Sequence, residues 1–172
     1  MKRALAMCCG MIALVGAGCS SDPSRGYSFT TTHQTSVRSI AVPVFDNRSF
    51  QKGIEIDLTD AIIKEIQRTT PWVVTSEAGA QTTLTGTITD ASLRNLSTNS
   101  KTGYVQEMAV ELTVDFDWRD GRTGQYLASR RAFKSMEGFV PARPTNERIE
   151  LGQHAVVQEM ARQIVAELRS GW

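Results

Sequence analysis

Cysteine is nearly missing from this chain. Three occur in 172 residues, Cys8, Cys9 and Cys19, and none follows. A disulfide framework is therefore excluded for the bulk of the sequence. Histidine is just as scarce: His33 and His154 are the two, and neither stands at a metal-type spacing such as His-Glu-x-x-His. No Gly-x-Ser-x-Gly elbow and no Walker-type loop is present. The usual signatures of nucleophilic, metal-dependent and nucleotide-dependent enzymes are thus lacking, and no cofactor is called for. Charge of one sign is lacking too. With 19 Lys and Arg against 18 Asp and Glu, the formal net charge is +1, which gives no global electrostatic case for nucleic-acid binding. No internal repeat of solenoid period is found.

What the chain does have begins at its N-terminus. Lys2 and Arg3 form a basic start, and Ala4 to Val15 a short apolar run. That run is too short to span a bilayer as a mature helix, so residues 1–18 read as a cleaved signal peptide. Gly16, Ala17 and Gly18 lead into Cys19, a junction that resembles the lipobox of bacterial lipoproteins, with Gly16 where that motif usually has Leu. Cleavage before Cys19 leaves a thiol to carry lipid; the alternative is a plain secretory signal with an incidental cysteine. Several acyl chains would anchor the protein stably, since each buried methylene contributes ~0.8 kcal/mol. Ser20 follows the cysteine, and no Asp stands directly behind it. By the same resemblance this favours the outer membrane.

Residues 19–36 are rich in Ser, Thr, Gly and Pro and read as a flexible tether, in which Tyr27 and Phe29 either pin its end to the fold or stand exposed. Residues 37–172 read as one domain. Val37 to Phe45 is expected as a strand, with Ile40, Val42 and Val44 on one face. A loop, Asp46 to Phe50, follows. Then comes an amphipathic helix from about Gly53 to Thr69, with its stripe at Ile54, Leu58, Ala61, Ile62 and Ile66. Glu55 and Asp57 suit its first turn and Lys64 and Arg68 its last, and Pro71 stops it. Trp72 to Thr75 is a short β-branched run. Thr82 to Leu93 is a longer strand, in which Gly86 signals a bulge or a closely approaching helix. Asn95 to Gly103 reads as a polar loop.

The cleanest periodic segment is Glu107 to Trp118. Met108, Val110, Leu112, Val114, Phe116 and Trp118 alternate strictly with polar residues, so one face is buried and the other wet. Asp120-Gly121 marks a hairpin turn, and Gln125 to Phe133 returns as the antiparallel neighbour. Thr145 or Asn146 can cap a final helix whose stripe includes Val156, Met160, Ile164 and Leu168. The expected fold is α+β: a two-layer sandwich with a mostly antiparallel or mixed sheet of about five strands and two long helices on one face. Its first strand is expected to be central and parallel to a neighbour.

Two charged groupings merit attention. Asp115 with Asp117, and Glu107 with Glu111, share strand faces, and read as the polar phase of an amphipathic strand rather than a general acid and base. Arg119, Arg122, Arg130, Arg131 and Lys134 crowd the hairpin and could hold phosphates; the competing reading is a solvated turn balanced by Asp115, Asp117 and Asp120.

Taken as a set, these features resemble the LptE family of lipopolysaccharide-assembly lipoproteins. The matching residues are Cys19, Gly26-Tyr27-Ser28-Phe29, the stretch from Ile40-Ala-Val-Pro43 to Phe45-Asp-Asn47, the helix start Ile54-Glu-Ile-Asp-Leu-Thr59, the strand Leu84-Thr-Gly-Thr-Ile88 and the C-terminal helix. The resemblance implies a non-enzymatic protein held by lipid at the periplasmic face of the outer membrane. Its implied partners are the β-barrel LptD, which it would plug and help assemble, and lipopolysaccharide itself. Lipidation would fall on Cys19, and the hairpin cations become candidate contacts for lipopolysaccharide phosphates. The Ala-Val-Pro…Phe…Asn pattern also looks like periplasmic lipoproteins of the curli-secretion and penicillin-binding-protein-activator type, which implies an activator or secretion-accessory module instead.

Overall fold

The computed structural model describes residues 37–98, 100–101, 105–140 and 147–170. The expected leader, Cys19, the tether with His33, and the Thr145/Asn146 cap lie outside the described residues. Along the chain run β1 (Ser39–Ala41), β2 (Asp46–Asn47), α1 (Ile54–Thr69), β3 (Val73–Val74), a 3-10 turn (Glu77–Gly79), β4 (Thr82–Thr98), β5 (Val105–Asp120), β6 (Tyr126–Phe139) and α2 (Glu147–Arg169). The strands form one six-stranded sheet in the order β3-β1-β4-β5-β6, with β2 also paired to β4. β1 is parallel to both β3 and β4, and β2 is parallel to β4. β4, β5 and β6 form an antiparallel meander. Both helices pack on one side, against each other and the sheet. This is the α+β two-layer sandwich the sequence predicts, with one more strand than expected and β1 lying inside the sheet, parallel to its neighbours.

The helices follow their stripes. Ile54, Leu58, Ala61, Ile62 and Ile66 of α1 are all buried, as are Val156, Val157, Met160, Ala161, Ile164, Val165 and Leu168 of α2. Each fully buried Val, Leu, Ile or Met side chain among them contributes roughly 1.5–3 kcal/mol. Gly53 caps α1 at φ 90°, a left-handed conformation that glycine adopts without strain. Lys64 lies one turn short of the α1 terminus and pairs with Asp60 at 2.5 Å. On β5, Val110, Leu112, Val114, Phe116 and Trp118 are buried as the alternation requires. Trp118 packs on Trp72 at 5.3 Å between ring centroids, and Phe116 meets Phe133 edge-on at 5.5 Å.

The first strand differs from expectation. Pairing stops at Ala41 and resumes at Asp46, because Pro43 has no N–H to give to a ladder. The break shifts the phase of the side chains. Ile40, Val42 and Phe45 are buried while Val44 is exposed, so Ile40, Val42 and Val44 do not share a face. Asp46 and Asn47, expected in a loop, pair with Thr87 and Ile88 of β4. Phe45 is anchored where the break ends: its N–H donates to Thr59 Oγ1 at 3.1 Å, and Thr59 Oγ1 donates to the Glu55 carbonyl at 2.7 Å. The Phe45 ring lies directly over Gly86, where a Cβ would collide with it. The glycine therefore answers to a ring, not to a helix or a bulge; the bulge in β4 comes later, between Ile88 and Asp90. β4 itself runs on to Thr98 and absorbs the first part of the expected polar loop.

Candidate functional site: a charged ladder on the open face of the sheet

The β4–β5–β6 meander turns one face to the helices and the other away. On the outward face Thr83 is opposite Arg119, Thr85 opposite Asp117, Thr87 opposite Asp115 and Ser92 opposite Glu111. On the other side of β5, Ser129 stands opposite Asp117 and Lys134 opposite Thr113. Directly opposed side chains on one face lie close enough to interact, and here they form two charge clusters.

Asp117 is the centre of the first. Its two oxygens take Arg131 Nη1 at 2.9 Å and Nη2 at 3.1 Å, a bidentate pair. Ser129 Oγ donates to it at 2.6 Å, and Arg119 Nη2 stands 3.5 Å away. Desolvation pushes the Asp117 carboxyl upward, but the Arg131 and Ser129 hydrogen bonds and the charges of Arg131 and Arg119 outweigh it, so its pKa is lowered. Glu111 is the centre of the second. It takes Arg94 at 3.1 Å and Lys134 at 3.3 Å, and hydrogen bonds from those two cations lower its pKa. Between the clusters, Asp115 accepts the Ala132 N–H at 2.7 Å. Ala132 has φ 50°, and the register of β6 on β5 shifts at this point. A shallow polar recess of about 230 Å³ opens beside it, bordered by Asp46, Arg48, Thr85, Thr87, Asp115 and Arg131.

The five cations of the hairpin are not brought together as one patch. Arg119, Arg131 and Lys134 share the outward face. Arg119 also lies over the Tyr126 ring at 4.4 Å, a cation–π contact. Arg122 stands on the turn, where its backbone N–H donates to Asp120 Oδ1 at 3.0 Å. Arg130 is in register with Phe116 and points to the helix layer, where it bonds Glu167 of α2 at 2.8 Å. Arg94 belongs with the outward group although sequence reasoning passed over it, because its strand was expected to end one residue earlier. Glu111 and Asp117 are occupied by these ion pairs, and His154 is solvent-exposed on α2. Among the described residues no group of three or more His, Cys, Asp or Glu could hold a metal ion, and no helix is long and apolar enough to cross a membrane.

A mixed sheet with two helices on one side is a fold shared with bacterial proteins of known structure, lipoproteins among them. A minor lipoprotein from Acinetobacter baumannii superposes with a TM-score of 0.53 at 16% identity, covering 78% of this chain and 94% of that one. The hypothetical protein CT253 from Chlamydia trachomatis gives 0.56 at 10% identity, over 78% and 97%. Lipoprotein B from Nitrosomonas europaea gives 0.51 at 14% identity, over 84% and 86%. At these identities the likeness is one of fold. No curated protein sequence matches. The model of the LptE family, lipopolysaccharide-assembly, matches residues 37–170, and the chain belongs to that family.

Proposed function

We propose that this protein is anchored by lipid on Cys19 at the periplasmic face of the outer membrane, and that it plugs and helps assemble an LptD β-barrel that delivers lipopolysaccharide to the cell surface. The observation that carries the reading is the family match, which spans every described element from β1 to α2. The open face of the sheet supports it. A barrel lumen is polar, and a face of threonines on which Asp117 and Glu111 are each paired with cations suits it. No covalent step is asked of the protein. Co-purification from detergent-solubilised outer membrane tests the reading. A stoichiometric β-barrel partner is expected; an inner-membrane synthase or a secretion pore in its place would overturn it. Mass spectrometry of the mature chain tests the anchor, with an acylated N-terminal Cys19 expected.

Lipopolysaccharide phosphates are proposed to meet the hairpin cations, with Arg119, Arg131 and Lys134 on the open face and Arg122 on the turn as first contacts. A phosphate must there displace Asp117 from Arg131 and Glu111 from Lys134, so binding exchanges one charge-assisted pair for another. Arg130 contributes only if its bond to Glu167 opens. Arg119→Glu with Arg122→Glu should weaken lipopolysaccharide binding and flatten its salt dependence; binding that keeps both properties would reject the assignment.

A further inference from the structure

The two strands that end the sheet, β3 and β6, are unequal. β3 pairs over Val73–Val74 alone and is too short to serve as a template. β6 runs for 14 residues, Tyr126–Phe139, and among the described strands its one neighbour is β5. Tyr126 and Met136 are exposed along it, and Phe133 and Phe139 are half-buried. A strand edge of that length is a ready template for another chain, because main-chain groups on its outer side can pair with any extended segment laid beside it. Every second copy of the chain carries such a segment, the same edge, and two-fold pairing needs no other sequence.

The edge is broken near its middle. Val114 pairs with Phe133 and Phe116 with Arg130, so Arg131 and Ala132 together stand against Asp115. Two residues against one make a bulge, which bends the strand and raises its local twist. Ala132 has φ 50°, and among the described residues it is the one non-glycine residue in the left-handed region. Alanine is disfavoured there because its Cβ crowds the following carbonyl, so the conformation persists only where its surroundings hold it. Asp115 Oδ1 accepts the Ala132 N–H at 2.7 Å. Arg131 Nη1 donates to the carbonyl of Phe116 at 3.3 Å and to that of Arg130 at 3.0 Å. Side chains thus take up main-chain groups where the regular ladder fails.

We propose that Asp115 is a clamp on this bulge, and that the bulge keeps β6 from taking the β6 edge of a second copy as a further strand. With the clamp in place, two copies can align only the run on one side of the break, 126–130 or 133–139. Charge is not the block, since Arg131 is paired with Asp117 and Lys134 with Glu111. Straightened at Ala132, the whole edge becomes available to its own copy. The inference does not depend on the identity of any barrel partner.

The test follows self-association of the full chain in detergent micelles by sedimentation velocity over a concentration series, with circular dichroism to show that each variant is folded. The parent is expected as single copies. Asp115→Ala removes the acceptor and should lower the apparent dissociation constant for self-association about tenfold or more, with slowed amide exchange from Tyr126 to Phe139 in the associated form. Asp115→Asn keeps an oxygen for the Ala132 N–H and removes only the charge, so it should stay single. Ala132→Val resists positive φ with Asp115 intact, and should associate as Asp115→Ala does; it also reads the bulge if Asp115→Ala fails to fold. Glycine adopts φ 50° freely, so Ala132→Gly added to Asp115→Ala should restore single copies. A parent already paired through β6 would overturn the proposal. So would Asp115→Ala and Ala132→Val that fold and stay single, Asp115→Asn that associates as strongly as Asp115→Ala, a glycine that fails to rescue, or association that leaves exchange in β6 unchanged.

Discussion

Gly86→Ala is the sharpest test of how the two halves of the domain are joined. In the middle of a strand, Ala is ordinarily more stable than Gly by about 0.5–1 kcal/mol. Here the added methyl would fall within the ring of Phe45. The ring has little room to retreat. Phe45 is only 2% exposed, and its own N–H is held by Thr59 Oγ1 at 3.1 Å, which fixes the backbone on the far side of the contact. Overpacking of a well-filled core costs typically ~1–3 kcal/mol, so the sign should reverse and the domain should lose about 1–2 kcal/mol. Urea unfolding followed by tryptophan fluorescence reads this, since Trp72 and Trp118 stack in the core. The cause is isolated by Phe45→Leu, which removes ring atoms from the contact. Phe45→Leu alone leaves a cavity and destabilises. In the double variant the methyl of Gly86→Ala has space, so the pair should be coupled by about 1 kcal/mol or more. A neutral or stabilising Gly86→Ala, or a strictly additive double variant, would refute the argument.

The remaining predictions concern polar partners. Thr59→Val keeps the shape but removes the acceptor of the Phe45 N–H, and should cost about 1–3 kcal/mol, read by the same unfolding assay. Asn47 bonds Ser49, the Gln51 carbonyl and Glu55 across the β2–α1 loop, so Asn47→Ala strips the loop of its hub; faster amide exchange from Ser49 to Gly53 is expected, with α1 beyond its first turn unaffected. The acid limb of stability should include Asp117 and Glu111, beside Glu55, Asp120 and Glu159, whose pKa values are lowered too. Their folded pKa values lie below the unfolded ones, so their contribution is present above about pH 4 and is lost as pH falls through the folded values. Asp117→Asn should therefore lower stability at neutral pH and flatten the loss on acidification, as thermal unfolding across pH would show.

Much of the fold was legible because its signals were long. Six alternating apolar positions in β5, and stripes several turns long in α1 and α2, leave no competing reading. The errors arose where a signal was short or carried by a partner. Pro43 was visible in the sequence, but the strand around it reads as continuous until its missing N–H is counted. The last part of β4, Asn95 to Thr98, has polar residues that resemble a loop; it is a strand because β5 lies opposite it, which no local pattern reports. The cation cluster was legible as composition and not as geometry. Arg130 and Arg131 are consecutive in a strand and so point to opposite faces, while the irregularity at Ala132 is what sets Arg131 and Lys134 on the same one. Arg94 joins them through strand pairing alone.

β4 is the one strand that serves both halves of the chain. Its opening residues carry β1 and β2 as parallel neighbours along one edge, and its whole length carries β5 along the other. The meander closes through short hairpin connections, whereas β1 reaches β4 only after the intervening helix and β3 have been laid down, pairing Ile40 with Thr82. Contacts of short sequence separation close fast and those of long separation late. The order of assembly follows: a hairpin nucleus from β4 to β6 first, with the segment from Val37 to Val74 docking on it last and, under partial denaturation, leaving it first.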